Sequence, residues 1–203
     1  SPEDFEAAFD CAVAGQVNVN QATVWFERTK AGLVCDVDGP GAHVNEDAAC
    51  AVACLLRLFQ ISGAVMVDFI STDNKAARNA IAAVFDHASI PDPRPFERTA
   101  INGFGLMQII RPRATPSVLD VLYGTNRMQL SLETQALRLI RDASRSAGFG
   151  PRQIIVAPAL AAYLARPEYA EHIAAAARFA GAPVEIVADA EVAGYGHVHV
   201  RQA

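Results

Sequence analysis

The sequence predicts an α/β protein, in which helices flank a mixed sheet and a smaller α/β subdomain follows. Short apolar runs of strand length alternate with longer segments of helical periodicity, an order typical of α/β and α+β folds. Residues 64–70 (AVMVDFI) form a continuous apolar run, as in a central strand covered on both faces. The stretch 114–130 is less regular, so we expect a division near residue 125 into subdomains of residues 1–125 and 126–203.

The elements of the first subdomain follow from apolar spacing and from residues that favour turns. Residues 3–14 have helical spacing, and two strands are predicted over Thr23–Glu27 and Gly32–Val37, on either side of a short turn. Asn45 is a capping residue, so a helix should begin there and run to about Gln60. The remaining elements are the strand at 64–70, a helix over about 73–87, a proline-rich loop over 90–97 and a strand over 105–110.

The second subdomain should begin with an amphipathic helix. This helix is predicted to start at Ser131 and to close at Gly148, because apolar residues recur along one face between them. The other predicted elements are a strand at 153–157, helical structure through 159–180, and strands at 184–187 and 197–201. Strands and helices thus alternate here as well, which again favours an α/β arrangement.

Composition and charge exclude several function classes. Hydrophobic residues make up 52% of the 203 residues, too large a fraction for intrinsic disorder. No apolar run approaches the roughly 18 residues of a membrane span, and no secretory leader opens the chain, so we expect a cytoplasmic protein without a membrane partner. The net charge of −5 argues against a dedicated nucleic-acid binder, since affinity for phosphates usually requires a basic excess.

Three aspartates carry the chemistry that the sequence indicates. Alternate residues of a strand share a face, so Asp36 and Asp38 should point to the same side of the sheet. Asp68 lies within the apolar run 64–70, where a carboxylate is costly to bury without a partner. If the two strands are neighbours, the three carboxylates can converge at one edge of the sheet.

Two interpretations of these aspartates are open. Convergent carboxylates repel one another unless a cation or a proton lies between them, and Mg²⁺ suits such a site because it takes one or two protein carboxylates and accepts phosphate oxygens. Alternatively, Asp36 and Asp38 end a strand and cap the turn at Gly39–Gly41, while Asp68 bonds to backbone amides. The residue pattern alone does not choose between a metal site and this structural role.

Three segments, taken in order, resemble one known family. Residues 25–38 (WFERTKAGLVCDVD) are similar to the strand pair that leads into the active site of the ribonuclease E/G family. Residues 48–70 resemble the helix and strand that follow there, and residues 102–117 (NGFGLMQIIRPRATPS) resemble the family's next motif. The tail from Glu133 to Val200 is more faintly similar to the small α/β domain that comes next in that family.

The resemblance implies a magnesium-dependent endoribonuclease that cleaves single-stranded RNA and leaves 5′-phosphate ends. By motif position, Asp36 and Asp68 match the two magnesium-binding aspartates, and Asp38 matches a residue that orients the water shell of the metal. The resemblance therefore implies catalytic roles for Asp36, Asp38 and Asp68, with Mg²⁺ as the cofactor and single-stranded RNA as the partner.

The chain also departs from the family pattern. The family's zinc link, expected near residues 118–128, is replaced by a stretch without cysteine, so any homo-oligomer would form without zinc. Gly103 stands where the motif has arginine, and the loop between Asp38 and Asn45 is shorter than in the family. Two alternatives follow: a catalytically impaired member that serves as an RNA-binding or assembly module, and a carboxylate–metal phosphatase with an enclosed pocket.

Basic and polar residues near the proposed site are candidates for contacts with RNA. The predicted RNA-binding residues are Lys75, Asn102, Arg111 and Arg113, of which the two arginines hold matched motif positions. The alternative for each is ordinary solvated surface. Phe104 could stack on a base or lie in the core, and we expect it in the core.

Overall fold

The structure divides into two compact units, each built from a mixed sheet and helices. It is a computed structural model that describes residues 2–124 and 129–201. The units are Ser1–Arg127 and Met128–Ala203, and the predicted boundary between residues 125 and 126 lies outside the described residues. The mixed sheets and their helices confirm the predicted α/β fold class.

The first unit is built on a six-stranded mixed sheet. Its strands are β1 (Gln16–Val19), β2 (Ala22–Arg28), β3 (Gly32–Asp38), β4 (Gly63–Asp68), β5 (Glu97–Arg98) and β6 (Leu106–Arg111). Its helices are α1 (Pro2–Ala14), α2 (Asn45–Leu58), α3 (Lys75–Ser89) and α4 (Val118–Tyr123). The strand order is β1-β2-β3-β4-β6-β5, and β3 pairs with β4 in parallel whereas the other neighbours are antiparallel.

Alternation along the strands separates a buried face of this sheet from an exposed one. In β3, Leu33, Cys35 and Val37 are buried, whereas Asp36 and Asp38 are exposed. The buried face packs against α2, and α2 packs in turn against α3, so the core lies on this side of the sheet. The opposite side, which we call the open face, carries the exposed residues Trp25, Glu27, Asp36, Asp38, Met66, Asp68, Gln108 and Ile110.

The structure adds β1, β5 and α4 to the predicted elements of the first unit. β1 and β5 are edge strands of four and two residues, too short for their alternation to be recognised. α4 starts with a capping box, in which the Ser117 hydroxyl and the Asp120 carboxylate each bond to the other's backbone amide. Arg28 binds Asp120 at 2.5 Å and so ties α4 to the end of β2.

The second unit has a three-stranded sheet and a core of its own. Its strands are β7 (Arg152–Val156), β8 (Val184–Ala188) and β9 (Gly196–Val200), in the order β8-β7-β9. Its helices are α5 (Leu132–Arg145), α6 (Pro158–Leu164) and α7 (Pro167–Ala180). The helical stretch predicted over 159–180 is therefore two helices, because Pro167 cannot continue a helix but is well suited to start one. No helix within residues 2–124 and 129–201 combines the length and apolar character needed to cross a membrane.

Arg111, at the end of β6, is a buried cation. It shares the buried face with Ile109, and only 2% of its side chain is exposed. Its guanidinium donates to the carbonyl oxygen of Leu56 at 2.8 Å and to that of Ile61, and it forms an ion pair with Asp92. The prediction that Arg111 contacts RNA is therefore wrong, because strand alternation turns this side chain into the core.

Substitution of Asp92 tests the contribution of this buried pair. We expect Asp92→Asn to lower the free energy of unfolding by about 3–5 kcal/mol, because it leaves the Arg111 cation buried without its counter-charge. Urea denaturation followed by circular dichroism measures the change. The matched control is Asp86→Asn, which breaks the more exposed pair of Asp86 with Arg98 and should cost less than about 1 kcal/mol. Equal losses in the two variants would contradict the expectation.

Candidate active site

Asp36 and Asp68 lie side by side on the open face. β3 and β4 are parallel neighbours, and Asp36 pairs in register with Asp68. Adjacent strands are about 4.8 Å apart, and the alternation of both strands exposes the two carboxylates on the same side. The structure thus brings together the two aspartates that the sequence singled out as a pair.

Nothing in the described part of the chain neutralises this pair. No hydrogen bond or ion pair from the described residues reaches the carboxylate of Asp36 or of Asp68. The pKa of Asp68 is raised above its ordinary value, first by partial desolvation and second by the negative charge of Asp36. This arrangement disagrees with the structural alternative, in which backbone amides would bind Asp68. Two adjacent carboxylates without counter-charges are an arrangement that a bound cation would stabilise.

Asp38 lies on the same face but is occupied by a neighbouring side chain. Its Oδ2 accepts a hydrogen bond from the indole Nε1 of Trp25 at 3.0 Å. Trp25 itself pairs in register with Asp36, and 44% of its surface is exposed on the open face. Sequence reasoning gave Trp25 no role of its own. The available signal was its position between Val24 and Phe26, since two apolar neighbours facing the core leave the middle residue on the outer face.

Two anchors fix the backbone directly after Asp68. The side chain of Asn45, which is fully buried, donates to the carbonyl oxygen of Ile70 at 2.8 Å and accepts from its amide at 3.1 Å. Asn45 therefore joins the start of α2 to the end of β4, instead of capping the helix as predicted. Next to it, the amide of Phe69 donates to the carbonyl oxygen of Gly105 at 3.1 Å. A Cβ at Gly105, where φ is +95°, would lie 2.2 Å from the Phe69 oxygen, so this approach requires glycine.

Residues 102–105 form a turn next to Asp68. Asn102 organises this turn, because its side-chain oxygen accepts hydrogen bonds from two backbone amides at 2.9 and 3.0 Å. Only its side-chain nitrogen is left for a ligand. Phe104 is 79% exposed, so the expectation that it lies in the core is wrong. The Ser71 hydroxyl donates to the Phe104 carbonyl oxygen at 3.0 Å and holds the turn against the segment after β4.

The basic residues predicted to bind RNA lie in different places. Lys75 is exposed and is the first residue of α3. A short loop joins α3 to the end of β4 that carries Asp68. Arg113 lies at the other end of β4, where its guanidinium covers Gly63: an added Cβ there would meet Arg113 Nε at 2.8 Å. The five residue steps from Gly63 to Asp68 span about 16 Å of strand. Of the basic residues predicted, only Lys75 is therefore both exposed and at the end of β4 that bears Asp68, since Arg111 is buried.

The pair offers a metal two carboxylates. Within residues 2–124 and 129–201, no three His, Cys, Asp or Glu side chains are placed to hold one metal ion. Two carboxylates fit a hydrated divalent cation such as Mg²⁺, which keeps several waters, better than a metal that needs three or four protein ligands. A cavity of about 540 Å³ lies at the opposite end of β3, lined by Lys30, Ser62 and Arg113 among others. The aspartates instead lie on an open face, unlike the enclosed pocket expected of a small-molecule phosphatase.

The fold and the aspartate pair define an α/β unit with an acidic, uncovered sheet face, and comparison with known proteins gives its family. Residues 14–114 match the sequence profile of the Ribonuclease E/G family. The chain belongs to this family, which confirms the resemblance found in its motifs.

Two curated relatives show how much of the family protein this chain represents. Ribonuclease E from Escherichia coli (strain K12) is 27% identical over 138 residues, and Ribonuclease E from Haemophilus influenzae (strain ATCC 51907 / DSM 11121 / KW20 / Rd) is 26% identical over 138 residues. The aligned part is 64% of this chain in both cases, but 13% and 15% of the two relatives. The chain thus spans a small part of their length.

The charge repulsion at the pair can be measured as a stability difference. We expect Asp68→Asn to be more stable than the wild type at neutral pH without divalent cations, by at most about 1 kcal/mol because the group is exposed. The raised pKa means that the folded state binds the Asp68 proton more tightly than the unfolded state does. The destabilisation is therefore absent below the unfolded pKa of about 3.9 and develops as pH rises through the folded pKa.

Urea denaturation of both proteins at neutral pH and at about pH 3.5, below the unfolded pKa, tests this expectation. The control is Glu27→Gln, which removes another exposed carboxylate of the open face, one that pairs with Val34 and not with an acid. A stability gap for Asp68→Asn that is the same at both pH values would show that the charge of the pair is not its cause.

Proposed function

We propose that this chain is a magnesium-dependent endoribonuclease core that cleaves single-stranded RNA and leaves 5′-phosphate ends. The observation that carries the proposal is the exposed pair of Asp36 and Asp68, which are in register on parallel strands and have no counter-charge among the residues that the structure describes. Membership of the Ribonuclease E/G family supports an endoribonuclease activity. The open face supports a polymeric substrate, because a strand can lie across it where a closed pocket would admit only a small molecule.

The roles of the residues follow from their positions. Asp36 and Asp68 would hold Mg²⁺, which when bound polarises a phosphodiester and makes a water molecule more nucleophilic. Asp38 would orient water near the ion, and the indole of Trp25 holds its carboxylate at a fixed position by a hydrogen bond. Asn45 and Gly105 would act as positioning residues, because they fix the backbone that follows Asp68.

The acidic composition is compatible with this proposal. Part of the net charge of −5 comes from the three aspartates of the open face. A bound divalent cation would reverse the local field there, so an anionic backbone could approach the pair. Lys75, the exposed cation nearest in sequence to Asp68, would then attract a neighbouring phosphate.

Removal of either ligand tests the proposed site. We expect Asp36→Asn and Asp68→Asn each to lower Mg²⁺-dependent cleavage of a single-stranded RNA by about 100-fold or more, because the ion supplies several kcal/mol of transition-state stabilisation. Cleavage is followed with a labelled oligoribonucleotide with and without Mg²⁺. A 5′-phosphate-dependent exonuclease applied to the products identifies their ends.

The control for this experiment is again Glu27→Gln, which should cleave within about twofold of the wild type since its carboxylate is not paired with an acid. Isothermal titration with Mg²⁺ alone adds a reading that does not depend on activity, and both Asp variants should bind the ion more weakly. Undiminished cleavage in either Asp variant would contradict the roles assigned to these residues. RNA binding without cleavage by the wild type would favour the alternative of an impaired, RNA-binding family member.

The chain contains two lysines, and they form a matched pair for testing the phosphate contact. Lys75 follows the end of β4 that carries Asp68, whereas Lys30 lies in the turn before β3, at the other end of the sheet. We expect Lys75→Gln to weaken RNA binding and to reduce the slope of log affinity against log salt by about 0.7, the value for one contact to a single strand. Lys30→Gln should change neither. A salt slope that Lys75→Gln leaves unaltered would remove Lys75 from the RNA contact.

A further inference from the structure

Two exposed aromatic residues lie on either side of the aspartate pair: one on the open face and one in the turn next to Asp68. Trp25 lies on β2, in register with Asp36 on β3, and Phe104 lies in the turn next to Asp68. The strands that carry the two aspartates therefore run between the two aromatic residues. At a strand spacing of about 4.8 Å, β2 and β6, which starts directly after the turn, are about 14 Å apart across the sheet.

Both rings are free to accept a ligand. Neither ring contacts another aromatic ring or a cation among the described residues, and Trp25 is 44% and Phe104 79% exposed. The indole of Trp25 is held by its hydrogen bond to Asp38, and the turn that presents Phe104 is fixed by backbone bonds to Asn102 and Ser71. A side chain or backbone that is already fixed loses less entropy when a ligand binds, so these two positions are suited to recognition.

We propose that Trp25 and Phe104 stack on bases of a single-stranded RNA, one on each side of the phosphodiester that the aspartate pair faces. Aromatic side chains bind single strands in this way because an unpaired base offers its π face without any particular sequence. The proposal deepens the proposed function and rests on it. In this proposal the two rings provide the affinity for the strand, and the aspartates serve its metal-dependent cleavage.

The charges of the open face favour a nucleic acid over a protein as the occupant. An apolar protein surface laid across the two rings would bury Asp36 and Asp68 without counter-charges, which is costly. A single strand would instead place its bases over the rings, and its phosphates would favour a divalent cation between the backbone and the aspartates. Among the basic residues predicted to bind RNA, Lys75 alone is exposed at this end of β4. Stacking must therefore supply most of the affinity.

The chain supplies its own reporter for this contact. Trp25 is its only tryptophan, so tryptophan fluorescence reports on the open face alone. The 203-residue chain is titrated in EDTA with a single-stranded oligoribonucleotide, and the affinity is measured in parallel by the anisotropy of a labelled strand. We expect quenching of Trp25 upon binding. Trp25→Leu and Phe104→Leu should each weaken the affinity by about tenfold, within the range known for one stacked base.

Three controls separate stacking from a general loss of structure. Trp25→Phe keeps an aromatic ring but loses the hydrogen bond to Asp38, and it should bind within about threefold of the wild type. Phe179→Leu removes a ring of similar exposure, 77%, from the second unit and should leave the affinity unchanged. Double-stranded RNA should not quench Trp25, because its bases are already stacked on one another.

The outcomes distinguish this proposal from the proposed cleavage. The stacking surface would be overturned if the strand failed to bind. It would also be overturned if the strand bound without quenching Trp25 and both Leu variants kept the wild-type affinity. Quenching and weakened Leu variants in a chain that does not cleave RNA with Mg²⁺ would support the stacking surface and count against the cleavage. Mg²⁺-dependent cleavage without quenching would overturn the stacking alone.

Discussion

The parallel pairing of β3 with β4 is the constraint on which the site depends. Each strand buries every second residue in the core, so the residues between them must face the open side. The register that sets Cys35 beside Val67 in the core also sets Asp36 beside Asp68 on the surface. A slip of one residue in either strand would separate the aspartates, but it would also turn the apolar side chains of that strand toward solvent. Hydrophobic burial therefore holds two like charges together.

The connections between the strands explain why the other face stays open. Parallel neighbours require a crossover, and α2 makes it between β3 and β4. α2 packs on the buried face, and α3, which follows β4, packs against α2, so both helices lie away from the aspartates. The exposed side chains of the open face agree with this, since Trp25, Asp36 and Asp68 all remain accessible. Because the crossover helix α2 packs on one side of the sheet, that side becomes the core and the opposite side carries the candidate site.

Local patterns predicted the faces of the strands but not the long-range partners of polar residues. Strand alternation was enough to place Asp36 outside, and the same rule places Arg111 inside. The motif position of Arg111 nevertheless predicts a contact with RNA, and its actual partner Asp92 comes from a loop 19 residues earlier that no local pattern connects to β6. Asn45 fits a helix cap by its sequence neighbours, yet its side chain bonds to Ile70, 25 residues away. Partners of this kind follow from the packed fold and cannot be obtained from periodicity.

In the proposed function, the aromatic residues supply affinity for the strand and the aspartates hold the metal, and the acidity of the chain explains why these roles are separate. A net charge of −5 gives little general attraction for phosphates, so most of the affinity has to come from groups that carry no charge. The rings of Trp25 and Phe104 meet this requirement, because base stacking does not depend on a basic surface. The carboxylates of Asp36 and Asp68 repel the RNA backbone until a cation is bound, so without the metal the strand is held by its bases and bound more weakly. The same arrangement that argues against non-specific nucleic-acid binding thus favours a contact that becomes productive only when the metal is bound.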